Sequence, residues 1–537
     1  MNRGAYIYIV SNISLPVHAS YKEAFSVAAA KFKSAGITAS RDELYVFRRS
    51  IDARKKNDIK FVYSIALSLD TAPKNPELLA RHGITASIPA PPEVKFGQTK
   101  IKAPVAVVGA GPAGLFAALM LAESGFPVTL IERGGDVAER KEAVKSFIAD
   151  RVLDTSTNIQ FGAGGAGTFS DGKLVTRIND PMSSYVLERL VEFGAPEEIL
   201  YLAKPHIGTD ILSLLVDRLI SHLANLGVRV MYHTEMLSFS SSSGRITAMH
   251  TNHGDIECSA IILAIGHSAR NTYLTLIENS LDIEAKDFSV GMRIEHTRET
   301  IDKGLYGNMA GDPVLPVGEY SLSHNTKARG VYTFCMCPGG EVVAAASEEG
   351  GVVVNGMSEH SRAGKNSNSA VCCSVFKSDY GATPRAAIEL QRKIERAAFA
   401  AGGGDYSAPI ITVGDFLSGE CKTEPYDVIP TYMNGIGVKL ADPNDYLPEF
   451  VTSAIRGAIH NFDTKIPGFA SRGAVLTGPE TRTSAPLRIK RDSETKLATG
   501  YSNLYPCGEG AGYAGGITSA AIDGIKCALA LMKNYKP

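Results

Sequence analysis

Residues 105–133 read VAVVGAGPAGLFAALMLAESGFPVTLIER. Four apolar residues lead into Gly109, Gly111 and Gly114, spaced GxGxxG. An alanine-rich apolar run follows, then a second short apolar stretch ending on Glu132. The order is strand, turn, helix, strand. In such a unit the first glycine permits a tight turn, the second lets backbone approach a pyrophosphate, and the third lets helix pack on strand. The helix start adds unpaired N–H groups and a partial positive charge. Glu132 ends the second strand, where a carboxylate can accept hydrogen bonds from a ribose diol. The pattern predicts a dinucleotide site on Gly109, Gly111, Pro112, Ala113, Gly114, Glu132 and Arg133. Residues 103–122 carry no charge, but the glycines split them into a short strand and a helix, so no membrane span is read.

A second bare stretch, LYPCGEGAGYAGGI, occupies 504–517 and is followed by a helix-like run. With an adenosine end fixed at 109–132, a long flavin cofactor needs a second contact for its ribityl chain and ring. Glu509, after Gly508, can bond ribityl hydroxyls. Gly515 and Gly516 bring the start of the closing helix, Ile517 and Thr518, against the ring. That helix end favours negative charge on the reduced flavin by about 0.3–2 kcal/mol. Two more segments agree. AIILAIGHSARN (260–271) places Ala264, Ile265 and Gly266 at the end of a buried strand. FGAGGAGTFSDGKL (161–174) lacks a preceding apolar strand and reads as a loop wrapping the cofactor through Gly165, Ala166, Gly167, Thr168, Ser170, Asp171, Lys173 and Leu174. Met236, on the strand after 228, joins this set. The cofactor expected is FAD, with no metal.

The chain has 537 residues, too many for one core. Its composition, 44% hydrophobic and 21% charged, is that of a globular protein. The fold class expected is α/β: a Rossmann-like FAD-binding domain, an inserted mixed α+β domain, and an N-terminal ferredoxin-like α+β domain. Residues 1–90 read as a small βαββαβ unit and 91–104 as a proline-rich linker. Residues 105–285 and 471–537 form the two parts of the FAD-binding domain, interrupted by an inserted substrate or cap domain at 286–470. Helical runs are expected at 185–203 and 209–226, with Thr209 as a cap that His206 braces. Net charge is −1, against electrostatic binding of nucleic acid by the whole chain. The first 90 residues, however, carry 13 Lys and Arg against 7 Asp and Glu. The eight cysteines form no CxxC pair or secretory pattern, and the N-terminus shows no signal peptide. Cytoplasm is the expected compartment.

The motifs GAGPAG, GGAGTFSDGKL, PHIGTD, AIGHSARN, FSVGMRIEH, FCMCPGGEVV, SEEGGVVVNGMS, ETRTSAPLRI and PCGEGAGYAGGI together resemble the bacterial FAD-dependent dehydrogenases of unassigned substrate. These belong with the two-dinucleotide-binding-domain flavoproteins that include fumarate reductase and glutathione reductase. The resemblance runs from about residue 40 to the C-terminus. It implies bound FAD and redox chemistry on a small molecule, without naming the substrate. The paired redox cysteines and second NAD(P)H fold of the disulfide reductases are missing, which leaves the electron donor, NAD(P)H or another, open.

Flavin chemistry at N5 needs groups that position and polarise a substrate. GPETRTSAPLRI (478–489) precedes the flavin-approaching strand, so Arg482 can clamp a carboxylate or carbonyl oxygen, with Glu480 beside it. His267, after Gly266, is a candidate proton donor or a neighbour of the nucleotide. Cys335 and Cys337 read as small core residues, since CxC is a poor disulfide spacer. Glu348, Asn355, Ser358, Asn366 and Asn368 form a polar group that either lines a pocket or sits in solvent. The function expected is an FAD-dependent oxidoreductase acting on a small molecule, with no nucleic acid and no membrane partner. The alternatives are a flavoprotein that recognises RNA or another acidic macromolecule through the basic cluster at 48–60, and a partner-binding flavoprotein without turnover.

Overall fold

The computed structural model describes residues 6–72, 75–88, 91–176, 178, 180–432 and 435–537. The first five residues and residues 89–90, part of the expected N-terminal domain, lie outside these.

Three sheets carry the architecture. Beneath the dinucleotide motif lies a five-stranded parallel sheet ordered Leu504–Pro506, Ala260–Leu263, Val105–Val108, Val128–Ile131, Arg229–Met231. Its short strands are buried on both faces, as parallel strands covered on each side must be. Helices Pro112–Glu123 and Ile517–Met532 cross on one face. They approach closely because Gly524 lies against backbone: a Cβ there would be 2.1 Å from the Ala113 carbonyl oxygen. A meander of Met236–Ser242, Arg245–Thr251 and Gly254–Glu257 packs on the other face.

The second layer is a seven-stranded sheet ordered Ser323–Asn325, Gly330–Cys337, Asn366–Val375, Phe288–Thr297, Val475–Glu480, Ala408–Thr412, Val438–Leu440. Helices Pro384–Ala401 and Glu449–Lys465 pack against it. The expected boundary at 470 falls inside this layer: Val475–Glu480 pairs with Phe288–Thr297 and Ala408–Thr412, so the inserted sheet continues to Glu480. The expected helix at 185–203 is also interrupted. Met182–Glu192 stops where Gly194 takes φ 102° and Pro196 follows, and only a short turn, Glu197–Leu200, comes after.

Residues 6–87 form a four-stranded antiparallel sheet ordered Leu44–Asp52, Lys60–Leu69, Tyr6–Pro16, Ile84–Ser87, with helices Tyr21–Ser34 and Pro76–Arg81. Ala24, Ala28 and Phe32, each four residues apart, give the first helix its buried face. This core does not close on itself: Tyr306 is buried in it, with Leu305, Met309 and Leu315 packed around. Its edge strand is also covered, since the Arg49 N–H donates to the Tyr201 carbonyl (2.7 Å) and the Ala203 N–H to that of Arg49 (2.9 Å). Within the basic cluster, Arg54 pairs with Asp52 and Lys60 with Asp58, while the Lys56 stem lies against Gly307.

The proline-rich linker is not free. The Gly97 N–H donates to the carbonyls of Met532 and Tyr535, and Thr99–Lys100 pairs in parallel with Tyr535–Lys536. The Lys102 and Ala103 N–H groups donate to the Ser259 hydroxyl. The N–H groups of Gly97, Ile101, Lys102 and Ala103 are thus taken by the C-terminal segment and by Ser259. Among the described residues no helix is long and apolar enough to cross a membrane.

Candidate cofactor and active site

A cavity of about 450 Å³ runs from the dinucleotide turn to the underside of the seven-stranded sheet. Gly109, Gly111, Pro112, Ala113, Glu132, Arg133, Met236, Ala264, Ile265 and Gly266 line one end. Gly165, Ala166, Gly167, Ser170, Asp171 and Lys173 come from the 161–174 loop, and Glu509, Gly515, Gly516 and Ile517 from the C-terminal stretch. His267, Glu480 and Arg482 also face it.

The glycines act differently from one another. Gly109 takes φ 100° and a Cβ there would lie 2.4 Å from the Ala264 carbonyl oxygen, so the turn packs directly on the neighbouring strand. Gly114 does not line the cavity; a Cβ on it would strike the Gly109 carbonyl oxygen at 1.9 Å. Gly165 lies over Gly111, bringing the 161–174 loop onto the 109–114 turn.

Four other residues assigned to the cofactor stand behind the wall. Thr168 and Leu174 are buried, their carbonyls accepting from the hydroxyls of Thr209 (2.8 Å) and Thr518 (2.9 Å). Thr518 thereby ties the closing helix to the loop. The Gly508 N–H donates to Asp523. Thr209 is not a cap either: Gly208 precedes the helix, and the Thr209 hydroxyl is spent on Thr168. His206 meets the His360 carbonyl at 3.1 Å.

The donors and acceptors fit FAD. Glu132 accepts from the N–H groups of Ala110 (2.9 Å), Gly134 (3.0 Å) and Gly162 (2.9 Å). A carboxylate has about four acceptor positions, so one remains for a ribose diol. The Glu509 carbonyl accepts from the Gly512 N–H, but its carboxyl accepts no hydrogen bond among the described residues; burial lifts that carboxyl from the usual 4.5 to about 7, with Lys286 pulling the other way. Ribityl hydroxyls would satisfy it. Beside Gly266, Gly515 and Gly516, a Cβ would meet nothing within 4 Å, although all three line the cavity.

Glu509 makes stability depend on pH. A folded-state pKa above the unfolded one contributes stability below about 4.5 that is lost as pH rises through about 7. In flavin-free protein, the stability of wild type relative to Glu509→Gln is expected to fall across that window by at most on the order of 3 kcal/mol. Urea denaturation in steps of pH measures this, and parallel profiles would contradict it.

The far end of the cavity is built on buried charge. Glu395 is shared by two guanidiniums: Arg270 at 2.6 and 2.8 Å, and Arg482 at 3.0 and 3.3 Å. Thr481 donates to the same carboxylate, Arg482 also bonds Ser347, and Arg270 reaches Glu348, which Arg392 shares. Burial opposes the charge on Glu395, but the two arginines hold its carboxyl far below the usual range. Burial and then Arg270 work against the charge on Arg482. Two of its five N–H donors have no partner among the described residues.

Glu480 is engaged elsewhere, pairing with the fully buried Arg293 at 2.7 Å. Arg293 also donates to Asn368, Asn355 and the Cys335 carbonyl. Burial, then the charge of Arg482, pull His267 down to about 4, so its ring is neutral near pH 7. Cys337 is buried, but Cys335 is not the core residue expected: the strand bulges between Phe334 and Cys337, Cys335 takes φ 42°, and it opens onto the cavity.

The polar group of 348–368 is dispersed over four buried charges. Glu348 serves Arg270, Asn355 and Asn368 serve Arg293, Ser358 serves Asp171, and Asn366 serves Glu295. The cavity also takes Gln160, Phe161, Lys204, Glu319, Ser321 and Thr333, which sequence reasoning did not identify. Gln160 and Phe161 immediately precede the GAGG turn, a signal within reach; the others arrive by tertiary placement.

A family model described as FAD-dependent protein, C-terminal domain-like, matches residues 287–483. An FAD binding domain model matches 102–150, and a domain of unknown function matches 9–68. An uncharacterized protein of Clostridium beijerinckii is 45% identical over 499 residues, 92% of each chain. Two solved structures are more distant. Glycine oxidase from Bacillus cereus is 12% identical, covering 80% of this chain and 98% of that one, with a TM-score of 0.34. L-amino acid deaminase from Proteus vulgaris is 13% identical, covering 82% and 96%, with a TM-score of 0.31. At such scores neither enzyme bears on the substrate.

Proposed function

Because the chain belongs to a family of FAD-dependent proteins, we propose that it is an oxidoreductase whose small-molecule substrate is held by Arg482 through a carboxylate or carbonyl oxygen. FAD is its cofactor, and when bound supplies two-electron chemistry, a hydride exchanged at N5. Gly109 to Gly114, Glu132, the 161–174 loop and Glu509 to Ile517 would hold it.

The observation that carries the reading is Arg482, fixed by Glu395 and Ser347 with two N–H donors to spare on the cavity that Gly515 and Gly516 share. A fork held at its base loses little freedom on gripping an oxygen. Neutral His267 suits a hydrogen-bonding role there better than that of a charged acid. Glu480, locked to Arg293, suits a positioning role. In this reading a ferredoxin-like N-terminal unit precedes a Rossmann-like unit split around the inserted layer. The eight free cysteines agree with a reducing compartment such as the cytoplasm.

The protein is expected to purify yellow and to release FAD, not FMN, on denaturation. Anaerobic mixing with NADH, NADPH and a metabolite pool, followed by flavin bleaching, identifies the reductant. Arg482→Gln is then expected to slow bleaching by that substrate roughly tenfold or more, the scale of one charge-assisted contact, with FAD content retained. An unchanged rate removes Arg482 from the site.

A further inference from the structure

At the cavity mouth four charges cancel. Lys173 lies 3.1 Å from both Asp171 and Glu319, and Arg362 bridges the same carboxylates at 2.5 and 3.3 Å. Burial alone would raise Asp171, but Lys173 and Arg362 hold it at about 2. His206 beside them is pushed down by burial and by Arg362. Lys204 is a fifth charge. It is exposed, lines the cavity, and has no carboxylate within 4.0 Å among the described residues; its ammonium meets only the Glu319 carbonyl, at 3.4 Å. Ser321, two residues beyond that carbonyl, lines the same mouth.

The N-terminal sheet sets where Lys204 stands. Arg49 and the 201–203 segment exchange two backbone hydrogen bonds in a parallel bridge, and the Arg49 guanidinium lies over the rings of Phe61 (5.4 Å) and Tyr201 (5.6 Å). On the far side of Lys204, the Pro205 carbonyl accepts from Leu174, and His206 bridges Lys173. The segment is thus strung between the N-terminal edge strand and the cavity loop. We propose that the N-terminal unit belongs to the substrate site: Lys204 binds an anionic group of the substrate, a carboxylate or a phosphate, and Arg49 is the residue that positions it. Net charge supports this. Three cations, Lys173, Arg362 and Lys204, act on Glu319, against two carboxylates in the cluster, so the mouth carries an excess positive charge that attracts an anion.

The inference rests on FAD filling the inner cavity, and the test separates the two. Full-length, FAD-loaded protein is titrated with inorganic phosphate and, separately, with succinate, following the flavin absorbance difference. At least one is expected to perturb the flavin saturably; which one tells phosphate from carboxylate. Lys204→Ala is expected to weaken that binding on the order of tenfold with FAD content unchanged, while Lys204→Arg largely restores it. Arg49→Ala is expected to weaken it less, and Arg49→Lys to rescue little because it lacks the planar stack. Equal binding by Lys204→Ala, or no response of wild type to either anion, overturns the proposal. So does FAD lost on Lys204→Ala, which would give that lysine to the cofactor. Wild type that holds no FAD at all refutes the flavin reading instead.

Discussion

Replacing Gly515 by leucine is expected to strip the protein of its flavin. Gly515 has no left-handed φ, and a Cβ there would meet nothing within 4 Å, so the backbone accepts a side chain without strain. The space that side chain enters is the cavity at the start of the closing helix. Inserting methylenes where atoms must pack costs about 1–3 kcal/mol, a loss of roughly fivefold to more than a hundredfold in affinity. Gly516 is a poorer test, because φ 146° would penalise any side chain there even with no ligand. The measurement is flavin content per protein after purification, with thermal melting of the flavin-free form as a control. A Gly515→Leu protein that melts normally and stays fully yellow would place the ring elsewhere.

The largest expected loss of stability follows Glu395→Ala. The carboxylate is 2% exposed and Arg270 1%, with Arg482 4% in its side chain. Removing the shared buried anion leaves two guanidiniums facing each other with only the partly exposed Glu348, already shared with Arg392, beside Arg270, at a cost of about 3–5 kcal/mol. Wild type and variant compared by urea denaturation at pH 7 should differ by that amount. The sign with pH is fixed as well: Glu395 is depressed in the folded state, so its contribution is present above the ordinary carboxylate pKa and disappears as acid protonates it. The gap between the two proteins should therefore narrow toward low pH. A Glu395→Ala protein of wild-type stability at pH 7 would mean that water or Glu348 takes over the charge.

The parallel sheet and much of the cavity wall were legible because local rules impose them. Gly109, Gly111 and Glu132 each answer a steric or hydrogen-bonding demand within thirty residues of one another, and the demand fixes the residue type. Gly515 and Gly516 were legible for the same reason at the other end of the chain. Thr168, Leu174, Gly508 and Thr518 share those motifs, yet they brace the wall, because a motif marks the turn and not the direction each side chain takes. The charged chemistry was hidden. Glu395 lies on the amphipathic helix Pro384–Ala401, where nothing local distinguishes an inward carboxylate from a solvated one. Arg270 reaches it from 125 residues away. Lys204 was invisible for a related reason: its neighbours at the mouth, Lys173 and Glu319, come from segments that only the tertiary fold assembles.

The crossing of helices Pro112–Glu123 and Ile517–Met532 bears on how the protein is made. Ten of the twelve residues of the first helix are buried, from Ala113 to Ala122, and much of their cover is the second helix. A ribosome adding about 5–20 residues per second needs roughly 20–80 s to travel from one to the other. Through that interval the nascent chain shows an apolar helix with one side uncovered, beside a glycine turn that lacks its opposite wall. The cavity therefore gains its finished wall only after the second helix has been made.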